Sequence, residues 1–278
     1  MVIIGLIIGG VLVGQDLISA AAVRSQISQI EKYQTAVRTF QVKYGYLPGD
    51  MPDPYASQFG FISRGTAVGT GDGDGRILGK GSIGNIQSAG ETAVLWRDLS
   101  QAGLIEGIFN TATETTSSGV DITLTSTPAI SAYLPEAKIG NANYIYAWNA
   151  YWSGTTAVPA LDSSKNYFGI SAAYIIDTTI GEKLRSKPGL TVQQAYAMDK
   201  KLDDGLPYSG NIWAIYIDWD PFYLDRDNTV SAYYRSFYTT AVPATKTSCT
   251  DNGGLGGTQN YSIKSASNKL NCALSVRF

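Results

Sequence analysis

Residues 1–50, MVIIGLIIGGVLVGQDLISAAAVRSQISQIEKYQTAVRTFQVKYGYLPGD, decide how the chain is read. The first fourteen carry no charge, and only glycine interrupts the Ile, Val, Leu and Met. As helix this run is too short to span a bilayer, which takes roughly 20 residues. Gln15 and Asp16 then give way to LISAAAV. From Ile27 the apolar positions are Ile27, Ile30, Tyr33 or Gln34, Val37, Phe40 and Tyr44. Steps of three and four mark a helix that buries one face. Arg24, Gln29, Glu31, Lys32 and Arg38 fall between these positions. Pro48 and Gly49 close the element, because proline breaks the hydrogen-bond ladder and glycine accepts a left-handed turn. A helix over 2–45 would be about 65 Å long at about 1.5 Å per residue, far longer than an average globular helix. Its front has no water-compatible face, so lipid, other copies of the chain, or each in turn must cover it.

The 278 residues allow one large domain or two small ones. Charged residues make up only 16%, against about 25% in typical soluble domains. With 30 Gly and 18 Tyr, this suits an extracellular or packed-array protein better than a cytosolic enzyme. The net charge is −2 and no basic stripe occurs, so no nucleic-acid partner is expected. Histidine is absent, which removes the commonest zinc ligand and the usual neutral-pH general base. Cys249 and Cys272 form neither a CxxC nor a Cys/His cluster. Behind an export-like N-terminus they are expected to form a disulfide that closes the tail, worth about 3 kcal/mol by loop entropy. A secretory signal peptide would carry a positive n-region and be followed by a break; neither is present, so the apolar stretch reads as retained.

Beyond the helix, LPGDMPDPYA is a proline-punctuated turn, and residues 55–90 form a glycine-rich loop that something else must tie down. SAGETAVLWRDLSQAGLIEG reads as a short helix stopping near Gly103, with Val94, Leu95, Trp96 and Leu99 on its apolar side. VDITLTS, ANYIYAWNAYW, YFGISAAYI and NIWAIYIDW are strand candidates rich in β-branched and aromatic residues. GLTVQQAYAMDKKLDDG reads as a helix of about ten residues with Thr191 as N-cap. YSIKS and CALSVRF read as short terminal strands.

Four segments, MVIIGLIIGGVLVGQDLISAA, ISQIEKYQTAVRTFQVKYGYLPGD, LWRDLSQAGLI and AMDKKLDDGLPYSG, together resemble the type IV pilin and type II secretion pseudopilin superfamily. They cover about a third of the chain. The resemblance implies an α+β fold, in which a long N-terminal spine helix packs by its C-terminal half on a globular domain with an antiparallel β-sheet. Residues 1–47 would be the helix, with 1–23 its protruding apolar half and 24–47 its amphipathic half, and 48–278 the head with the disulfide-closed tail. It further implies a cleaved and methylated N-terminus, a prepilin peptidase and pilus assembly machinery as partners, residence in the inner membrane before assembly, and an extracellular filament afterwards. Family members begin with a phenylalanine or similar residue, a few apolar residues and a glutamate. This chain starts at Met1 inside the apolar stretch without that string, so either Met1 is an internal methionine or assembly proceeds differently. About seven further residues would bring the apolar run to about 21, enough to cross a membrane.

The expected filament contacts are Ile3, Ile4, Leu6, Ile7, Ile8, Val11, Leu12, Val13, Leu17 and Ile18. Head-to-tail contacts of this kind do not close and so give a helical homopolymer. Gly9, Gly10 and Gly14 either let backbones approach or mark where the helix kinks or melts in the filament. GTGDGDGRI invites a structural calcium ion, since Asp72 and Asp74 alternate as EF-hand ligands do. Thr70 and Gly81 stand where the first ligand and the bidentate glutamate would be, which excludes a full EF-hand. Either a distant carboxylate such as Glu91 completes a partial site, or the segment is a metal-free turn. Asp199, Asp203 and Asp204 form a second acidic cluster, read as a solvated helix end with Asp203 and Asp204 orienting the turn at Gly205, in preference to a ligand role. No phosphate loop or dinucleotide fingerprint is present, and Asp218 and Asp220 around Trp219 make a poor glycosidase pair. No catalytic residue and no other cofactor is therefore expected. Tyr144, Tyr146, Trp148, Tyr151 and Trp152 could stack on sugars, but core packing is the better use for them. The two functions left are a major filament subunit, and a minor pseudopilin or tip adhesin of a type II secretion or DNA-uptake system.

Overall fold

The computed structural model describes residues 2–64, 69–79, 89–110, 112–115, 121–123, 129–152, 155–156, 162–177, 183–218, 222–223, 249–251, 260–266 and 268–278. The fold is α+β: a long N-terminal helix lies on a domain built around an antiparallel sheet. Helix α1 runs unbroken over Val2–Tyr44, through Gly9, Gly10 and Gly14. It stops short of Pro48, and the Gly45 N–H is returned to the Gln41 carbonyl (2.8 Å). Among the described residues no helix is long and apolar enough to cross a membrane.

The periodicity of α1 is realised as burial. Val23, Ile30, Tyr33, Val37 and Phe40 are all buried against the head, at about 1.5–3 kcal/mol for each large apolar side chain removed from water. Tyr33 meets Trp96 and Phe168 edge-on, at ring-centroid distances of 5.1 and 6.3 Å. Phe40 packs on Phe61 (5.4 Å). Gln29, placed by its polarity on the solvent face, is instead buried, as is Gln26. Their amides do what water would otherwise do for the backbone of 136–139. Gln29 Nε2 donates to the Glu136 carbonyl (2.9 Å), and its Oε1 accepts from Lys138 N (2.9 Å). Gln26 Oε1 accepts from Ile139 N (3.0 Å). Further along, Gln34 Nε2 donates to the Arg277 carbonyl (2.8 Å).

After α1 come two helices, α2 (Tyr55–Gln58) and α3 (Glu91–Gln101), and a small hairpin of β1 (Thr113–Thr115) and β2 (Asp121–Thr123). Strands β3 (Asn143–Asn149), β4 (Tyr151–Trp152), β5 (Thr155–Thr156), β6 (Asn166–Asp177) and β7 (Lys183–Lys187) follow. Next are β8 (Leu190–Thr191), α4 (Val192–Leu202), β9 (Tyr208–Ser209), β10 (Ile212–Trp213), β11 (Tyr216–Ile217) and β12 (Phe222–Tyr223). The tail holds β13 (Thr250–Asp251), β14 (Asn260–Tyr261), α5 (Ile263–Ala266), β15 (Leu270–Cys272) and β16 (Leu274–Arg277).

The main sheet runs β3-β6-β16-β10-β9, with β7 also paired to β6. Strand β6 takes β3 along one edge; its other edge takes β16 and then β7. In this register Tyr146 faces Gly169. The Tyr146 ring lies over that glycine so closely that a Cβ there would sit 2.1 Å from a ring carbon. Tyr146 and Trp148 are fully buried, the Trp148 indole N–H donating to Ser275 Oγ (3.0 Å). These two aromatics therefore serve the core.

Three sequence expectations are redrawn, the first being NIWAIYIDW, which is two strands, β10 and β11, that belong to different sheets. ANYIYAWNAYW is two strands, because Asn149 Oδ1 accepts from Tyr151 N (2.8 Å) and turns the chain. YSIKS begins as the end of β14 but continues as helix α5. Tyr261 is pinned through its hydroxyl to Asp199 (2.7 Å) and Ser262 N to the Cys249 carbonyl (2.9 Å), so the ladder ends there. The expected disulfide Cys249–Cys272 is formed. Helix α4 starts at a capping box in which Thr191 and Gln194 satisfy each other's backbone N–H groups (3.1 and 2.9 Å).

Candidate functional site

Two features of this fold are not explained by the packing of the head itself. The first is the front of α1. Among the described residues ahead of Val23 none is buried, and Val13, Leu17 and Ile18 are 61%, 66% and 72% exposed. The side chains of Ile3, Ile4, Leu6, Ile7, Ile8, Val11 and Leu12 lie outside the described residues. The helix thus carries an apolar stripe, Val13, Leu17 and Ile18, that the head leaves exposed.

The second is a carboxylate cluster where α1 hands over to the head. The Gly69–Leu78 loop is wrapped around two acids from outside it. Asp50 accepts from Gly73 N and Gly75 N with its two oxygens (2.8 Å each). Glu91, the first residue of α3, accepts from Gly71 N and Leu78 N (2.8 Å each). This is what ties down a loop with few side chains to bury. Gly71 has φ 94, and a Cβ there would strike the Met51 carbonyl (2.8 Å) and the Arg64 stem (2.9 Å). Beside the loop, Arg64 and Asp98 form a fully buried ion pair (2.5 Å), and Asp98 Oδ2 also accepts from Gly49 N (2.7 Å). The exit of α1 is thereby fastened at two successive residues.

Oxygens of Asp50, Asp72 and Glu91 lie within 4.8 Å of one another. Ligands held about 2.4 Å from one calcium ion are at most about 4.8 Å apart, so the set fits a hard cation. Burial, opposed by the two glycine N–H groups, pushes the Asp50 carboxyl up to about 7. Burial and then the neighbouring Asp50 push Glu91 well above the ordinary carboxylate range. Such a pair takes up either a proton or a cation. Of the residues expected from sequence, Asp72 and Glu91 meet here. Asp74 does not join them: its Oδ1 accepts from Arg76 N (2.8 Å) and its Oδ2 faces the Arg76 guanidinium (3.4 Å). The third acid is Asp50, which the sequence presented only as part of a turn.

Asp199, Asp203 and Asp204 also come within 4.8 Å of one another. Each is engaged by hydrogen bonds. Asp199 accepts from Gly205 N (3.0 Å) and the Tyr261 hydroxyl, Asp203 from Ile212 N (3.1 Å), and Asp204 from Leu206 N (2.8 Å) and Ser209 Oγ (2.5 Å). Asp203 and Asp204 thus orient the turn, whereas Asp199 is buried, not solvated as the sequence suggested, because Tyr261 of the tail lies against it and bonds to it through its hydroxyl. Asp218 accepts from Ser186 N (3.1 Å), while Trp219 and Asp220 lie outside the described residues.

What the fold and these features define together is an α+β protein with a partly uncovered spine helix and a carboxylate-lined junction. No family model matches the chain, and no curated protein or solved structure matches it.

Proposed function

We propose that the chain is a structural, non-enzymatic subunit that polymerises through its N-terminal helix into an extracellular type IV pilus-like filament. The observation that carries this reading is the exposed stripe of Val13, Leu17 and Ile18 ahead of a helix half whose Val23, Ile30, Tyr33, Val37 and Phe40 face is seated on the head. Three such side chains on a bare helix are unfavourable in water and favourable against lipid or against identical helices. On this reading the front rests in the inner membrane before assembly, with a prepilin peptidase and assembly machinery acting on it. The chain then packs head-to-tail with copies of itself. The test is to shear surface material from cells producing the chain, pellet it and image it. Abundant filaments composed of this chain support the reading. A chain that is scarce in the pellet but required for secretion or DNA uptake supports a minor pseudopilin or tip role instead. A monomeric, non-pelleting chain in the aqueous fraction refutes both.

A calcium ion at Asp50, Asp72 and Glu91 accompanies this reading, favoured by the convergence of three oxygens around two buried acids. Its role would be structural, holding the loop and α3 to the exit of α1. Titration of the metal-free chain with calcium tests it.

A further inference from the structure

Residues 1–23 carry one charge, Asp16. It is exposed, and among the described ion pairs none involves it. No partner is within reach along its own helix either, because residues 12, 13, 19 and 20 are Leu, Val, Ser and Ala. The nearest basic residue, Arg24, is eight positions on, or about 12 Å along the axis. When apolar fronts pack against one another, this carboxylate leaves water together with its neighbours and requires a cation supplied from outside its own copy.

The exposed cations on α1 are Arg24, Lys32, Arg38 and Lys43. For parallel helices, the choice of cation fixes the axial offset between copies. Pairing with Arg24 means an offset of eight residues, about 12 Å, and keeps about 15 of the 23 front residues side by side. Pairing with Lys32 means about 24 Å and leaves only about seven overlapped. Arg24 therefore satisfies the charge while preserving most of the apolar contact. Ala20, Ala21 and Ala22, just ahead of it, let a second backbone come close.

Resting on the filament reading above, we propose that Asp16 of one copy pairs with Arg24 of the adjacent copy and sets the register of the polymer. A buried polar pair that fixes register is the best attested use of such groups in helix assemblies. The experiment is a charge exchange in the full chain, reading pelletable polymer and, separately, the amount of chain in the membrane fraction. Asp16→Arg and Arg24→Asp are each expected to reduce polymer at least tenfold with the membrane pool retained. The double exchange is expected to restore polymer to within about threefold of wild type. In images of wild-type polymer, adjacent spine helices should be offset by about 12 Å. If the wild-type chain polymerises but single exchanges are silent, the double exchange fails to rescue, or the offset is different, the register pair is overturned while the filament reading stands. If the wild-type chain forms no polymer, both fall.

Discussion

The sharpest physical consequence of the carboxylate cluster is an inverted pH dependence that calcium should largely offset. Asp50 is 1% exposed and its carboxyl is pushed from 3.8 up to about 7 by burial, against the pull of two backbone N–H groups. A carboxyl whose pKa is raised on folding binds its proton more tightly in the native state. Its contribution is then fully present below the unfolded value and is lost as pH rises through the folded one. For Asp50 the window runs from about pH 4 to about pH 7, and a shift of roughly three units is worth about 4 kcal/mol. Glu91 acts in the same direction. In a chain of this size that loss corresponds to a fall in Tm of roughly 8–16 °C. Bound calcium replaces the proton, and at a hundredfold above the Kd that holds at about pH 7–8 it adds about 2.7 kcal/mol, offsetting roughly two thirds of that loss. The assay is thermal unfolding of the full chain in detergent from pH 4 to 8, with chelator and with calcium. Asp199, likewise pushed up to about 7 by burial, adds a slope of the same sign. Asp72→Asn, at a half-buried ligand, should leave the chelator curve nearly unchanged and remove most of the calcium effect. Superimposed curves with and without calcium would refute the cation site.

Three further outcomes are expected. Asp98→Ala leaves the Arg64 guanidinium buried without its counter-ion and frees Gly49 N, which should cost about 3–5 kcal/mol in urea unfolding. Gly169→Val forces a side chain into the Tyr146 ring and should destabilise by about 1–3 kcal/mol or more, visible as a lowered urea midpoint or loss of soluble head. Thr191→Ala removes half of the α4 capping box and should cost about 0.5–2 kcal/mol, whereas Thr191→Asn should cost little.

Much of this was legible because it rests on local periodicity. The steps Ile30, Tyr33, Val37 and Phe40 name the face that is buried, and Thr191 with Gln194 announces the start of α4. Glu91 was within reach because a loop so rich in glycine has to be held by something outside it. The rest needed three dimensions. Gln26 and Gln29 look like solvent-facing residues until the backbone of 136–139 is laid beside them. Asp50 sits in LPGD, where proline and glycine already account for a turn, and only the fold brings it to Asp72 and Glu91. Arg64 and Asp98 are 34 residues apart, and no sequence spacing signals a buried pair at that range.

The distribution of polar groups along α1 bears on how the helix could work in an assembly. Where α1 meets the head, its glutamines bond to backbone atoms, partners that cannot be displaced by rotamer change, so the helix is held in rotation as well as depth. Its exit is held again by Asp50 and Asp98, on the loop and on α3. Apolar packing alone tolerates sliding, since one methyl replaces another at little cost. Directional bonds do not, because a displaced buried acceptor or donor costs about 1–3 kcal/mol. A spine helix fixed in this way passes an axial load to the head instead of creeping along it. The front of α1 has the opposite character: apolar, small-residue-rich and, among the described residues, unburied ahead of Val23. Its register is then left to whatever covers it, and within residues 1–23 Asp16 is the one charged side chain available to such a contact.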